Sequence, residues 1–181
     1  DNGNDALKGA TLHLAPAVDD DQAVRSRLAA IRIPTAFALA QEIQGRQEVT
    51  YSCDGVNFWI GEAALAHRGD ALRVGPTLQR FDDERQRWFI GAGIVELLRD
   101  AGFPAGEHQV ALTLAVPNTE IVIERDEKGV EQLTLDSRTR ECLARHLKGK
   151  TWTIIRTDDE RTPETWVIKI ATVLPQAQST G

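Results

Sequence analysis

The 181-residue chain has the composition of an ordinary folded domain, 41% hydrophobic and 27% charged, and is long enough to bury a core as one domain or as a domain with a lobed insertion. A net charge of −6 with scattered Lys and Arg argues against direct nucleic-acid or membrane binding, and no apolar run approaches the ~18 residues of a membrane span. There is no basic-then-apolar leader, and Cys53 and Cys142 are far apart without metal-ligand spacing, so a reduced, cytoplasmic protein is expected.

The chain opens with D-N-G-N-D-A-L-K-G, Asp1 to Gly9. A carboxylate, a glycine two positions on and a lysine five further suit a turn that wraps anionic oxygens with backbone N–H groups. Gly3 permits close backbone approach, Asn2, Asn4 and Asp5 tolerate left-handed conformations, and Lys8 can reach a phosphate as a point charge. The same residues also suit a plain hairpin turn. Ala10 to Ala15 reads as a strand returning from that turn, and Pro16 to Asp21 as a break. The acidic triplet Asp19, Asp20 and Asp21 suits a solvated loop or helix start, with a metal site as the alternative. Arg32 to Ala40 predicts a short apolar strand introduced by a proline.

Glu48 to Ile60 holds two β-rich runs split by Asp54-Gly55, a strong hairpin signal, and Gly61 to His67 reads as a helix start. From Asp83 to Asp100, apolar residues at Trp88, Phe89, Ala92, Val95, Leu97 and Leu98 predict an amphipathic helix stopped by Gly102 and Pro104. Gln109 to Val116 is almost continuously apolar, which predicts a strand buried on both faces and closed by Pro117-Asn118. Ile121 to Gly129 reads as a charged strand or loop, and Asp136 to Gly149 as a helix with an acidic or serine start and a glycine end. Two further strands are expected at Thr151 to Arg156 and Thr165 to Val173, joined by the turn Asp158 to Pro163. Trp152 and Trp166 lack the basic neighbours of a base-stacking platform and are expected to be packing residues.

Asp1, Gly3 and Lys8, with Gly9 after the lysine, resemble the first phosphate loop of the actin-like ATPases. R-I-P-T, from Arg32 to Thr35, is similar to the family's basic-x-Pro-Ser/Thr segment, and Trp59, Ile60, Gly61, Glu62 and Ala64 resemble the end of a hairpin in the bacterial plasmid-segregation actins (ParM/StbA type). The motifs follow one another in the family's order along nearly the whole chain. The resemblance implies an α/β, ribonuclease H-like (actin-like ATPase) domain with a small β-containing insertion subdomain over about 33–80. One departure is that Ala115-Val116 stands where a glycine commonly precedes the proline.

As the resemblance implies, ATP and Mg²⁺ would be the cofactors. Gly3, Asn4 and Asp5 would offer backbone N–H groups to phosphate oxygens, Lys8 would neutralise them, and Asp1 would hold the metal through its water shell. In V-L-P-Q, Gln176 would orient the attacking water, as a Gln or Glu does after the corresponding strand in the family. The family's second phosphate loop, an Asp-x-Gly followed by Thr or Ser, is absent, as is the adenosine pocket beyond it. Residues 1–181 are therefore expected to be the first domain of a longer ATPase and inactive alone. The implied function is that of a filament-forming ATPase in plasmid or DNA segregation, whose partners are copies of itself and a DNA-bound adaptor, with no direct nucleic acid or membrane. A sugar kinase or polyphosphate phosphatase of the same superfamily, or a non-catalytic interaction domain on this fold, is the alternative.

Overall fold

The computed structural model describes residues 6–14, 26–40, 48–72, 77–125, 127–158 and 162–177. The first two strands, β1 (Ala6–Leu14) and β2 (Ser26–Pro34), pair antiparallel from Ala6 opposite Pro34 to Leu14 opposite Ser26. β1 thus begins before the expected Ala10, and Lys8 and Gly9 lie within it. Pro34 has no N–H to donate, so the ladder ends there, and after Thr35 the chain enters a second sheet as β3 (Ala36–Leu39). The single strand expected over 32–40 is therefore two strands in two sheets.

β4 (Thr50–Cys53) and β5 (Val56–Ile60) form the expected hairpin. Its central residues Asp54 and Gly55 have φ of 52° and 80°, the pair of positive values that matches a tight turn to the twist of its strands. Helix α1 (Gly61–Ala66) and the short strand β6 (Asp70–Ala71) follow. Helix α2 (Thr77–Asp82) was not foreseen, whereas α3 (Glu84–Asp100) matches the amphipathic helix expected from Asp83 to Asp100. Asp83 accepts the Arg85 backbone N–H at 2.9 Å, satisfying one of the amides a helix start leaves open.

β7 (Gly106–Val116) leads to a one-turn 3-10 helix (Asn118–Glu120) and a small hairpin, β8 (Ile121–Arg125) and β9 (Glu131–Leu135). Helix α4 (Ser137–His146) is capped by Asp136, which accepts from the backbone N–H groups of Arg138 and Thr139 at 3.0 and 3.1 Å. The last strands are β10 (Thr151–Thr157) and β11 (Pro163–Ala177).

The main sheet has seven strands in the order β6-β3-β5-β4-β10-β11-β7, with β1-β2 and β8-β9 as separate two-stranded sheets. The strands of the 33–80 stretch join this sheet through the antiparallel β4–β10 pairing, while β7 and β11 run parallel. Buried Phe37, Phe58, Phe89, Val95, Ile154 and Ile168 form the core where α3 crosses the sheet. Trp166 is buried and Trp152 packs against this core, the packing roles expected for both. β7 differs from expectation. Its even-numbered residues from His108 to Leu114 are half-buried, but Gln109, Ala111, Thr113 and Ala115 are exposed, because no described element covers that face.

Candidate functional site

The parallel pair β7–β11 brings the carboxyl ends of two strands to one margin of the sheet. Leu114 lies opposite Pro175, Ala115 opposite Gln176 and Val116 opposite Ala177. In open α/β sheets ligands gather outside the carboxyl ends of strands, so this margin is where a bound group is sought. On β7 the strand stops at Pro117, with Val116 fully buried beneath the turn. On β11 the strand continues through Gln176 to Ala177, so Gln176 lies within the ladder instead of in a connection after it.

α2 brings Arg80 to the same margin. Its Nη2 donates to the carbonyl oxygen of Ala115 at 3.5 Å, a long contact, and its guanidinium stands 4.8 Å from the centre of the Phe81 ring. Nε is buried without a hydrogen-bond partner among the described residues. Burial holds the guanidinium below its ordinary pKa, and the nearby Glu120 carboxylate opposes that shift. Arg80 thus reaches the carbonyl of the residue directly opposite Gln176. Sequence reasoning missed it, because one arginine in a six-residue helix has no signature; the available signal was Gly75-Pro76 ahead of Thr77, which suits a helix start.

Asp1, Gly3, Asn4 and Asp5 lie outside the described residues, as does the triplet Asp19 to Asp21. Lys8 is placed by its backbone in β1, opposite Arg32 of β2. No sheet joins Lys8 to Gln176, but α3 packs against β1, β2 and β10 alike. Both cysteines are buried; burial pushes the Cys53 thiol up to about 12 and raises that of Cys142, so neither is a ready thiolate nucleophile at neutral pH. Among the described residues no group of three or more His, Cys, Asp or Glu side chains could hold a metal ion, and no helix is long and apolar enough to cross a membrane.

This α/β arrangement, with a main sheet, a separate β1–β2 pair and a parallel strand pair, is the fold of one domain of the actin-like ATPases. The archaeal actin homolog Ta0583 matches with a TM-score of 0.57 at 16% identity, over 84% of this chain and 42% of its own. The psk41 ParM protein matches with a TM-score of 0.58 at 14% identity, over 86% of this chain and 46% of its own. An AlfA filament bound to AMPPNP matches with a TM-score of 0.52 at 8% identity, over 84% of this chain and 47% of its own. The chain therefore spans less than half the length of these three structures. No family model and no curated protein sequence matches it.

Proposed function

We propose that this chain is the first domain of a nucleotide-dependent, filament-forming actin-like ATPase that works in the cytoplasm, in plasmid or DNA segregation, through a DNA-bound adaptor. The observation that carries this reading is the fold match itself, which takes in 84% or more of this chain but less than half of each of three actin-like structures, one of them a filament bound to AMPPNP. A second observation supports the one-domain reading. β7 is eleven residues long and ends the main sheet, so one of its edges is unpaired among the described residues. An edge of that length is ordinarily paired or covered.

The donor set suits a nucleotide. Backbone N–H groups of Gly3, Asn4 and Asp5 and the ammonium of Lys8 are phosphate-binding groups, and the Asp1 carboxylate is a hard oxygen donor suited to Mg²⁺ through water. Bound metal would supply charge neutralisation on the phosphates. The chain's own residues would hold the phosphates in place, and Gln176, a neutral amide, would orient water without acting as a strong base. That division fits slow, switch-like hydrolysis.

The test is ATP-dependent pelleting of the full-length protein, with the Lys8→Ala variant alongside. The expected result is sedimentation that requires ATP and Mg²⁺, and nucleotide binding weakened in the variant by about 1 to 3 kcal/mol, the scale of a charge-assisted contact. Nucleotide-independent sedimentation would overturn the filament reading. Unchanged affinity in Lys8→Ala would overturn the phosphate-loop assignment.

A further inference from the structure

Of the four arginines that are buried or half-buried among the described residues, three have a carboxylate partner. Arg87 reaches Glu84 at 3.1 Å, Arg99 reaches Glu164 at 3.0 Å and Arg156 reaches Glu96 at 2.7 Å. Arg80 forms no ion pair with a described residue, although its Nε is buried. A guanidinium taken out of water without an opposite charge is costly, so an unpaired one held in a fold points to a charge that arrives with a ligand.

The surroundings hold this guanidinium in place. Phe81, whose side chain is completely buried, keeps it 4.8 Å from the ring centre. Nη2 makes only the long contact of 3.5 Å to the Ala115 carbonyl, and Nη1 donates to no described residue. Of the three nitrogens only Nε is both buried and without a partner, so the Nη edge is the part a ligand can reach. That edge lies at the carboxyl ends of β7 and β11, where open α/β sheets gather their ligands. Ala115 is the rung opposite Gln176, and paired strands run ~4.8 Å apart, so a group held by the edge lies close to the end of β11.

We propose that Arg80 is an oxyanion-binding residue whose Nη edge takes two oxygens of a phosphate group at the carboxyl ends of β7 and β11. The guanidinium fork matches paired phosphate oxygens, which a spherical anion such as chloride does not offer. The Glu120 carboxylate, which favours the charged guanidinium, also lowers the net charge of the site. Recognition therefore rests on the paired hydrogen bonds more than on bulk charge, and selects phosphate over chloride at equal ionic strength. The phosphate is either the terminal group of the nucleotide or free orthophosphate. The first source rests on the function proposed above, whereas the fork does not.

Titration calorimetry on the full-length protein tests this, with orthophosphate, ATP and ADP as separate ligands in chloride buffers of fixed ionic strength. Orthophosphate is expected to bind the parent, and Arg80→Gln to weaken that binding by about tenfold or more. Arg80→Lys, which keeps the charge and loses the fork, should fall between them. If the nucleotide is the source, Arg80→Gln weakens ATP by a similar factor and ADP much less. If free phosphate is the source, both nucleotides bind as before. Thermal melts add a reading on the milder variant: exchanging chloride for phosphate should raise the melting temperature of the parent more than that of Arg80→Lys. Unchanged affinity for orthophosphate and ATP alike in a folded Arg80→Gln protein would overturn the proposal, as would an equal gain from phosphate in parent and Arg80→Lys. Orthophosphate binding that depends on Arg80 in a protein without affinity for ATP would remove the nucleotide reading and keep the fork. ATP binding that depends on Lys8 but not on Arg80, with no Arg80-dependent orthophosphate binding, would do the reverse.

Discussion

The Tyr51 hydroxyl donates to Glu96 Oε1 at 2.7 Å, and the same oxygen accepts from Arg156 Nε at 2.7 Å. One carboxylate on α3 thereby ties down two strands, β4 and β10, that are neighbours in the main sheet. Burial, with the Glu96 charge behind it, raises the Tyr51 pKa, so the phenol stays a donor across the working pH range. The three residues are unequal in energy. Tyr51→Phe deletes one hydrogen bond and should cost about 1 kcal/mol. Glu96→Ala strands the Arg156 guanidinium, whose side chain is only 7% exposed and whose nearest other carboxylate oxygen, on Glu164, is 3.9 Å away. That loss should cost about 3 kcal/mol, the low end for breaking a buried pair. Urea unfolding of both variants checks the ranking; equal costs would mean that Arg156 finds water or Glu164 at no loss.

Gly61 carries a second expectation. Its φ is +61°, and a Cβ there would stand 2.7 Å from Cγ2 of Ile33. Gly61→Ala therefore meets both a left-handed backbone and a clash with a side chain on β2, and should destabilise by about 2 kcal/mol or more. The exposed neighbour Glu62, changed to Ala, should stay within about 0.5 kcal/mol of the parent. Thermal melts of the pair decide whether the glycine is needed for its conformation.

Gly61 also shows how far the sequence could be read. The aromatic-x-Gly-Glu pattern around it was visible, but the reason for the glycine lies in Ile33, on another strand. Features set by neighbouring residues were legible: the Asp54-Gly55 turn, the start of α4 at Asp136 or Ser137, and the apolar stripe of α3. Features set by distant pairing were not. The β4–β10 ladder that joins Ser52 to Ile155 leaves no local mark, and E-Q-L-T-L is too short and too polar to announce β9. At the candidate site, Lys8 and Gln176 were singled out from motifs, while Arg80 became visible only when α2 set it against Ala115.

Asp83 supplies a pH dependence. The Arg85 guanidinium, hydrogen-bonded to its carboxylate at 2.7 to 3.1 Å, holds the Asp83 pKa below its usual value, against a smaller upward push from burial. A carboxyl depressed in the folded state contributes stability that is fully present above the unfolded pKa of about 3.9 and is lost as pH falls through the lower folded value. Asp83→Asn keeps a capping acceptor and removes only the charge. It should cost less than about 1 kcal/mol at neutral pH, since the pair is partly exposed, and that difference should close below about pH 4. Denaturant midpoints of parent and variant across pH test the sign; a gap that widened in acid would contradict it.

Gln176 is the residue on which the proposed chemistry turns. Its backbone is held in the parallel ladder opposite Ala115, one strand from the turn at Pro117, so a substitution there should leave β11 in register. If the side chain orients the hydrolytic water, Gln176→Ala in the full-length protein should leave nucleotide binding and assembly intact while slowing hydrolysis on the order of a hundredfold. The water loses its positioning, whereas the contacts to phosphate are untouched. Filaments of the variant should then persist where those of the parent disassemble. Lys8→Ala should act the other way round, weakening nucleotide binding before any effect on turnover, because a point charge on phosphate contributes to the ground state as well as to the transition state. Phosphate release and light scattering followed on one sample separate the two patterns. Normal release with normal disassembly in Gln176→Ala would reduce the residue to a rung of the β7–β11 ladder and move the water-positioning role to another group.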